Sequence, residues 1–281
     1  MRVPTKEEID AALGLATKDR PPAFAPEQIE AMRQIGDLVA GDERMARAKA
    51  RKVMIATPSM RDPVIQYTVS LVGTVQFLNH HGVGFGIEFV VGSSNLPRAR
   101  NNLAARFLAS DCDTLVMIDD DMGWKPADLF RLLASDKPFI AAVGRKRIDA
   151  PGPDGPEIWC AVPKLGAPVV DEFGALEVWR VGAAFVRLDR VVFETLVKLH
   201  PEWKRPPLDD MTPKQGENYY QFFRFETDAG DEIGEDYLFC DRWREAGGQV
   251  WVDPAVELEH VGSKAFKGRL IDSIKANSAS G

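Results

Sequence analysis

Cysteine, basic charge and long apolar runs are all in short supply in this chain, and each shortage excludes something. The 281 residues include three cysteines, Cys112, Cys160 and Cys240. They are odd in number and far apart, and none forms a CxxC pair. They read as reduced thiols packed in the core of a cytoplasmic protein, not as a disulfide framework. Acids outnumber bases, 42 against 35, for a net charge of −7. A chain with that balance is not built as a general binder of nucleic acid or anionic membranes, although a local basic groove remains compatible with it. No apolar run reaches the roughly 18 residues of a membrane-spanning helix. The first residues, MRVPTKEEIDAALG, lack the apolar core of a signal peptide. No internal repeat is visible.

What is present is an ordinary globular composition, 45% hydrophobic and 27% charged. That supports one large α/β domain or two small ones. Residues 1–50 read as a helical N-terminal extension. Within it Ile29, Met32, Ile35, Leu38 and Val39 recur at helical spacing over residues 26–40. A basic run follows, Arg44, Arg47, Lys49, Arg51 and Lys52. It fits either a solvated helix face or a patch for a polyanionic acceptor or partner subunit.

From Val53 onward the pattern alternates. VMIATPS predicts a buried strand that breaks at Pro58. Residues 62–79 predict a helix with Pro63 in its first turn. A strand over 87–91 leads through Gly92–Asn95 into a helix over 96–109. There Leu96, Ala99, Leu103 and Phe107 form one face, and Arg98, Asn102 and Arg106 another. Arg100 and Asn101 sit near its start. The run Leu115–Ile118 then stops at three carboxylates, Asp119, Asp120 and Asp121. Clustered carboxylates repel each other and resist burial. A bound hard cation, Mg²⁺ or Mn²⁺, accounts for them, and so does a solvated acidic turn. A helix over 126–134 and a strand over 139–143 follow, ending in Arg145-Lys146-Arg147. Strands alternating with helices predict a parallel α/β sheet. Ligands of such sheets bind at the carboxyl ends of the strands, which gathers Thr57, Ser93 and the Asp cluster into one cleft.

The second half is less regular. Residues 149–156 are a loop, and 175–186 a strand interrupted by Gly182-Ala183-Ala184. Residues 190–200 form a helix, 204–218 a long loop, and 219–225 an aromatic strand. A helix over 234–246 carries Glu235 and Asp236 in its first turn. A strand follows at 249–252, and His260 shares a face with Val256 and Leu258.

Three stretches in this order resemble one family. PRARNNLAARFLASDCDTLVMIDDDMGWKPADLFRLL, VGAAFVRLDRVVFETL and GEDYLFCDRWREAGGQVWVDPAVELEHVG are similar to segments of GT-A-fold, family 2-like glycosyltransferases. The resemblance runs from about Arg51 to Gly262. It implies a Rossmann-like, mostly parallel sheet flanked by helices over 51–265, with 266–281 as a C-terminal tail. It also implies transfer of a sugar from a nucleotide-sugar, a UDP-sugar first among them, to an acceptor hydroxyl with inversion. Asp119, Asp121 and His260 would be metal ligands for Mn²⁺ or Mg²⁺. Thr57, Pro58, Arg100, Asn101, Asp119, Asp120, Gly182 and Ala183 would line the donor. Asp236 would be the general base, with Glu235 on the acceptor. The first strand ends in Thr-Pro-Ser where many relatives have an aspartate-rich loop, and the glycine segment reads GAA. Three other readings compete. One is a DNA-directed transferase using residues 145–147 and the basic run as a groove, with a hydroxymethylated base as acceptor. Another is a sugar-phosphate nucleotidyltransferase, against which stands TPSMRDP in place of a Gly-rich loop. The third is a non-catalytic nucleotide-sugar or glycan-binding protein. The acceptor, whether glycan, protein or modified nucleic acid, and the oligomeric state are not written in the sequence.

Overall fold

The computed structural model describes residues 42–147, 159–228 and 231–279. The helix expected over 26–40 and the loop over 149–156 lie outside them. The first half follows the sequence pattern closely. Helix α1 (Asp42–Ala50) precedes β1 (Lys52–Ser59), α2 (Ile65–His81), β2 (Gly84–Val91) and α3 (Leu96–Ala109). Strand β3 (Thr114–Ile118) leads into the short β4 (Met122–Trp124), then α4 (Pro126–Ala134) and β5 (Phe139–Ala141). After these come β6 (Ala161–Pro163), β7 (Leu176–Val181), β8 (Phe185–Asp189), α5 (Arg190–Leu199) and α6 (Pro213–Glu217). The chain continues through β9 (Glu226–Asp228), β10 (Asp231–Ile233), α7 (Glu235–Glu245) and β11 (Val250–Val252). It closes with β12 (Leu258–Val261), β13 (Ala265–Gly268) and α8 (Leu270–Ala279).

An eight-stranded sheet in the order β2-β1-β3-β8-β5-β11-β7-β6 forms the centre. Its pairings make it mixed and mostly parallel, with β8 and β7 running against the rest. The expected mostly parallel sheet flanked by helices is present. Strand β8 inserts antiparallel between β3 and β5, which no local pattern announces. Strand alternation separates two cores. Met54, Ala56, Leu115 and Met117 face a cluster with Leu103, Phe107, Phe193 and Phe239 from α3, α5 and α7. Their neighbours Val53, Ile55, Val116 and Ile118 face Ala48, Tyr67, Leu129 and Phe130 from α1, α2 and α4. Both faces of β3 are thus covered, so the strand is apolar throughout instead of alternating with polar residues. Burying each such side chain contributes about 1.5–3 kcal/mol.

Several boundaries differ from expectation for identifiable reasons. Strand β1 runs through Pro58 because its pairing with β3 ends at Ala56, so the missing N–H costs no ladder bond there. Helix α2 begins at Ile65, beyond Asp62 and Pro63. The interrupted strand over 175–186 is two strands, β7 and β8, that are not neighbours. Residues 219–225 form no strand beyond a single bridge from Tyr220 to Lys204. The rings of Tyr219, Phe222 and Phe223 pack inward instead, while Phe225 stays exposed. Residues 266–281 begin inside β13, and α8 follows, with Ile271 buried.

The arginines of the basic run are structural, while Lys49 and Lys52 are exposed. The Arg47 guanidinium donates to Ala134 O, and that of Arg51 to Leu133 O and Ser135 O, at the C-terminal carbonyls of α4. Cations suit that end of a helix dipole. Buried Arg187 donates to Leu132 O and Ser135 O and shares Asp189 with Arg51. Burial, with the charge of Arg51, lowers the Arg187 pKa to about 10. Arg44 lies over the Phe173 ring. These guanidiniums serve the fold, which removes them from any polyanion groove. No helix among the described residues is long and apolar enough to cross a membrane.

Candidate active site

The Asp cluster is the corner at which the chain leaves the large sheet for a small one. Strand β3 ends at Ile118, Met122 N–H donates to Asp119 O, and β4 departs. Strands β13, β12 and β4 form a separate three-stranded sheet. Helix α2 fixes β4 through two hydroxyls: Trp124 N–H donates to Ser70 Oγ and its indole N–H to Thr74 Oγ1. In the β4–β12 register His260 pairs with Met122, and Val261 N–H donates to Asp121 O at 2.9 Å. Asp121 and His260, distant in the chain, are thereby set side by side.

The three aspartates do three different things. Asp119 takes both oxygens to Arg100 Nη2, at 2.8 and 2.9 Å. Asp120 turns to β1, where Ser59 Oγ donates to it at 2.6 Å. Asp121 meets Arg147 Nη1 at 2.8 Å and His260 Nε2 at 3.5 Å through Oδ2. Its other oxygen, Oδ1, is buried without a hydrogen-bond partner among the described residues. Burial, reinforced by Asp121 and Asp120 against the pull of Arg100, raises the pKa of Asp119. Burial also raises that of Asp120, with Asp121 adding to it against the Ser59 hydrogen bond.

Arg100 is the hub. Its guanidinium is 3% exposed and also donates to Glu235 Oε1, at the start of α7. One cation therefore joins α3, the end of β3 and the start of α7. Burial opposes its charge, but Asp119 and Glu235 outweigh this and raise its pKa. Burial and the neighbouring Asp236 raise the pKa of Glu235 against Arg100. Asn101, the next residue, is buried as well. Its side-chain amide donates to Phe223 O at 2.7 Å and accepts from Phe223 N–H at 2.8 Å, imitating a strand partner. That contact holds residues 219–225 against α3.

Asp236 differs from its neighbour in being half-buried with no cationic side chain bonded to it among the described residues. Its Oδ1 accepts the Tyr237 N–H at 2.8 Å. It faces Gly182, where a Cβ would come within 3.5 Å of Asp236 Oδ2 and 3.3 Å of Cys160 Cβ. Ala183 is buried, and Asp119 N–H donates to Ala184 O at 2.9 Å, which keeps this segment beside the Asp corner. His260 is held by an Nδ1 contact of 2.8 Å to Arg145 O, so the tautomer that donates there directs Nε2 at Asp121. Burial opposes charge on this imidazole, yet the Asp121 and Arg145 O contacts raise its pKa.

The structure thus brings Arg100, Asp119, Glu235, Asp236 and Gly182 together, and Asp121 with His260. It does not gather Asp119, Asp121 and His260 into one ligand set. Among the described residues no group of three or more His, Cys, Asp and Glu side chains is arranged to hold a metal. Arg100 and Glu235 bond to each other, and Asn101 to Phe223. Thr57 and Pro58 are buried in β1, the Thr57 hydroxyl lying 2.5 Å from Tyr67 OH. Burial pushes that phenol up to about 12 against the Thr57 hydrogen bond. Ser59 has no role assigned from the sequence, and Arg147 has one only in the groove of the DNA-directed alternative. Arg147 follows β5, whose carboxyl end faces the same cleft as that of β3, so the rule of converging strand ends could have found it.

Two cavities are elsewhere. One of about 270 Å³ is lined by Ile65, Val69, Trp124, Lys125 and Glu259, and one of about 1060 Å³ by Arg205, Pro207, Met211 and Tyr220. Neither contains the aspartates. The carboxylates, histidine and arginines identify the candidate site by their chemistry, not by its depth. No profile of a known protein family matches this chain, and no curated protein matches it.

Proposed function

We propose that the chain is a glycosyltransferase of the GT-A type. It moves a sugar from a nucleotide-sugar to an acceptor hydroxyl with inversion, and Asp236 is the general base. The observation that carries this reading is the meeting of three sequence motifs at Arg100. The RN pair of α3, the Asp corner after β3 and the ED pair of α7 converge on one buried guanidinium. Chance acidic turns have no reason to do so.

The residues present fit a divalent cation at Asp121 and His260. Asp121 Oδ1 is a buried carboxylate oxygen lacking a partner among the described residues, and His260 Nε2 is oriented by the Nδ1 contact behind it. One or two protein ligands with substrate phosphates completing the shell is how Mg²⁺ is commonly held. When bound, such an ion supplies charge neutralisation for a departing nucleoside diphosphate. Arg100 bonds both Asp119 and Glu235, so α7 starts at a set distance from the corner. Asp236, at the first turn of that helix, takes the proton from the acceptor hydroxyl as it attacks. Gly182 leaves the space beside that carboxylate open. In this reading Glu235 positions the base and does not touch the acceptor.

A thermal-shift panel tests the reading, with nucleoside diphosphates and nucleotide-sugars, each with Mn²⁺, Mg²⁺ or EDTA. A ligand that binds only the native state raises the melting temperature by mass action. A shift with one nucleotide that disappears in EDTA is expected. No shift with any nucleotide in a well-folded sample refutes the proposal.

A further inference from the structure

Arg147 sits on the Asp121 carboxylate, where a divalent cation would bind. Its Nη1 lies 2.8 Å from Asp121 Oδ2 and 3.2 Å from Val261 O. A guanidinium there and a divalent cation on Asp121 repel each other at close range, so they cannot share that oxygen. Unlike Arg100, the side chain is 49% exposed, so it leaves its place without breaking a core. Its stem runs over Gly262, where a Cβ would meet Arg147 Cδ at 2.9 Å. The backbone is bare at that point, and the arginine has a seat. The second Asp121 oxygen stays buried and unpartnered among the described residues, so Arg147 satisfies only half of the carboxylate. Arg100 on Asp119 and Arg131 on Asp253, by contrast, engage both carboxylate oxygens.

We infer that Arg147 is a displaceable counter-ion that becomes a diphosphate-binding residue. Without donor it neutralises Asp121. When a divalent cation arrives with the donor, the guanidinium leaves Asp121 and pairs with the diphosphate, whose oxygens suit its planar fork. The site then discriminates against metal alone and accepts metal with donor together. This inference rests on the glycosyltransferase reading.

The test measures Mn²⁺ affinity from the electron paramagnetic resonance of free Mn²⁺, without nucleotide and with UDP, GDP or TDP. It compares wild type, Arg147→Ala, Arg147→Lys and Asp121→Asn. Arg147→Ala is expected to bind Mn²⁺ alone about tenfold more tightly, and the nucleoside diphosphate with Mn²⁺ about tenfold more weakly. Arg147→Lys, which keeps the charge but not the fork, should retain weak binding of Mn²⁺ alone and lose diphosphate affinity. Asp121→Asn should abolish the response in every arm. Unchanged or weakened Mn²⁺ binding in Arg147→Ala, with nucleotide binding intact, overturns the role of Arg147 and leaves the transferase reading standing. Absence of Mn²⁺ binding in all forms, with or without nucleotide, overturns both.

Discussion

Replacing Arg100 with methionine separates a working hub from an incidental salt bridge. Methionine approximates the arginine stem in volume and brings no charge, so the packing of α3 changes little. What changes is that Asp119 and Glu235 lose their shared cation. Glu235 is 9% exposed at its side chain and Asp119 22%. Removing one partner of a buried ion pair typically costs about 3–5 kcal/mol, because the remaining charge stays desolvated. Asp119 recovers some hydration through its exposed edge, which favours the lower end, about 3 kcal/mol. In a domain of this size that corresponds to roughly 6–12 °C in melting temperature.

Urea denaturation followed by tryptophan fluorescence reads this change as a shift of midpoint at constant slope. A second variant, Arg100→Met with Glu235→Gln, should recover about 1–2 kcal/mol, since a neutral amide replaces the stranded carboxylate. Arg100→Lys should fall between wild type and Arg100→Met, because an ammonium keeps the charge but lacks the planar fork that engages both carboxylates. A loss below about 1 kcal/mol in Arg100→Met would match an exposed pair. It would refute the argument that this guanidinium ties the three motifs together.

Three other perturbations test separate parts of the account. Asp236→Asn should leave metal-dependent nucleotide binding intact and lower the transfer rate about 10²–10⁴-fold, in a coupled assay of nucleoside diphosphate release. Burial raises the pKa of Asp128, in the first turn of α4, to about 6, against the Glu257 N–H that it accepts. The native state therefore holds this proton more tightly than the unfolded chain, and the charged form destabilises the fold above about pH 6. Asp128→Asn should stabilise the protein at pH 7 by roughly 1–2 kcal/mol, the full two-unit shift being reduced for partial exposure. The gain should vanish as pH falls toward 4, and a gain independent of pH would contradict the burial argument. Finally, a Cβ on Gly248 would lie 2.0 Å from Trp243 Cε2, and the Trp243 indole N–H donates to Gln249 O at 3.0 Å. Gly248→Ala should cost about 3 kcal/mol by overpacking, with a changed tryptophan emission spectrum. Wild-type stability in that variant would mean the indole is free to move.

What could be read from the sequence divides by range. Helices α3 and α4 and strand β3 match their expected limits closely, because periodicity, an Asn95 side chain accepting from Arg98 N–H, and prolines in the first turns are local signals. The motif residues were legible as types, a carboxylate cluster and a first-turn acid pair, but not as partners. Arg100 reaches Asp119 across 19 positions and Glu235 across 135, and both contacts depend on the order in which strands join the sheet. That order includes β8, whose apolar run is the same whichever way it points. The aromatic stretch 219–225 shows the same limit from the other side. It has the composition of a strand, yet the backbone of Phe223 at its centre is paired by a side-chain amide, Asn101, which the sequence presents as a plausible donor ligand. The buried arginines make the argument general. Arg51, Arg100 and Arg187 look like surface charge in a linear reading and are instead the points where distant segments close on each other. In this fold a basic residue read as a ligand for something outside first has to be excluded as a ligand for the chain itself. Arg147, half exposed and satisfying one oxygen of Asp121, is the arginine of the site that this exclusion leaves available for an external anion.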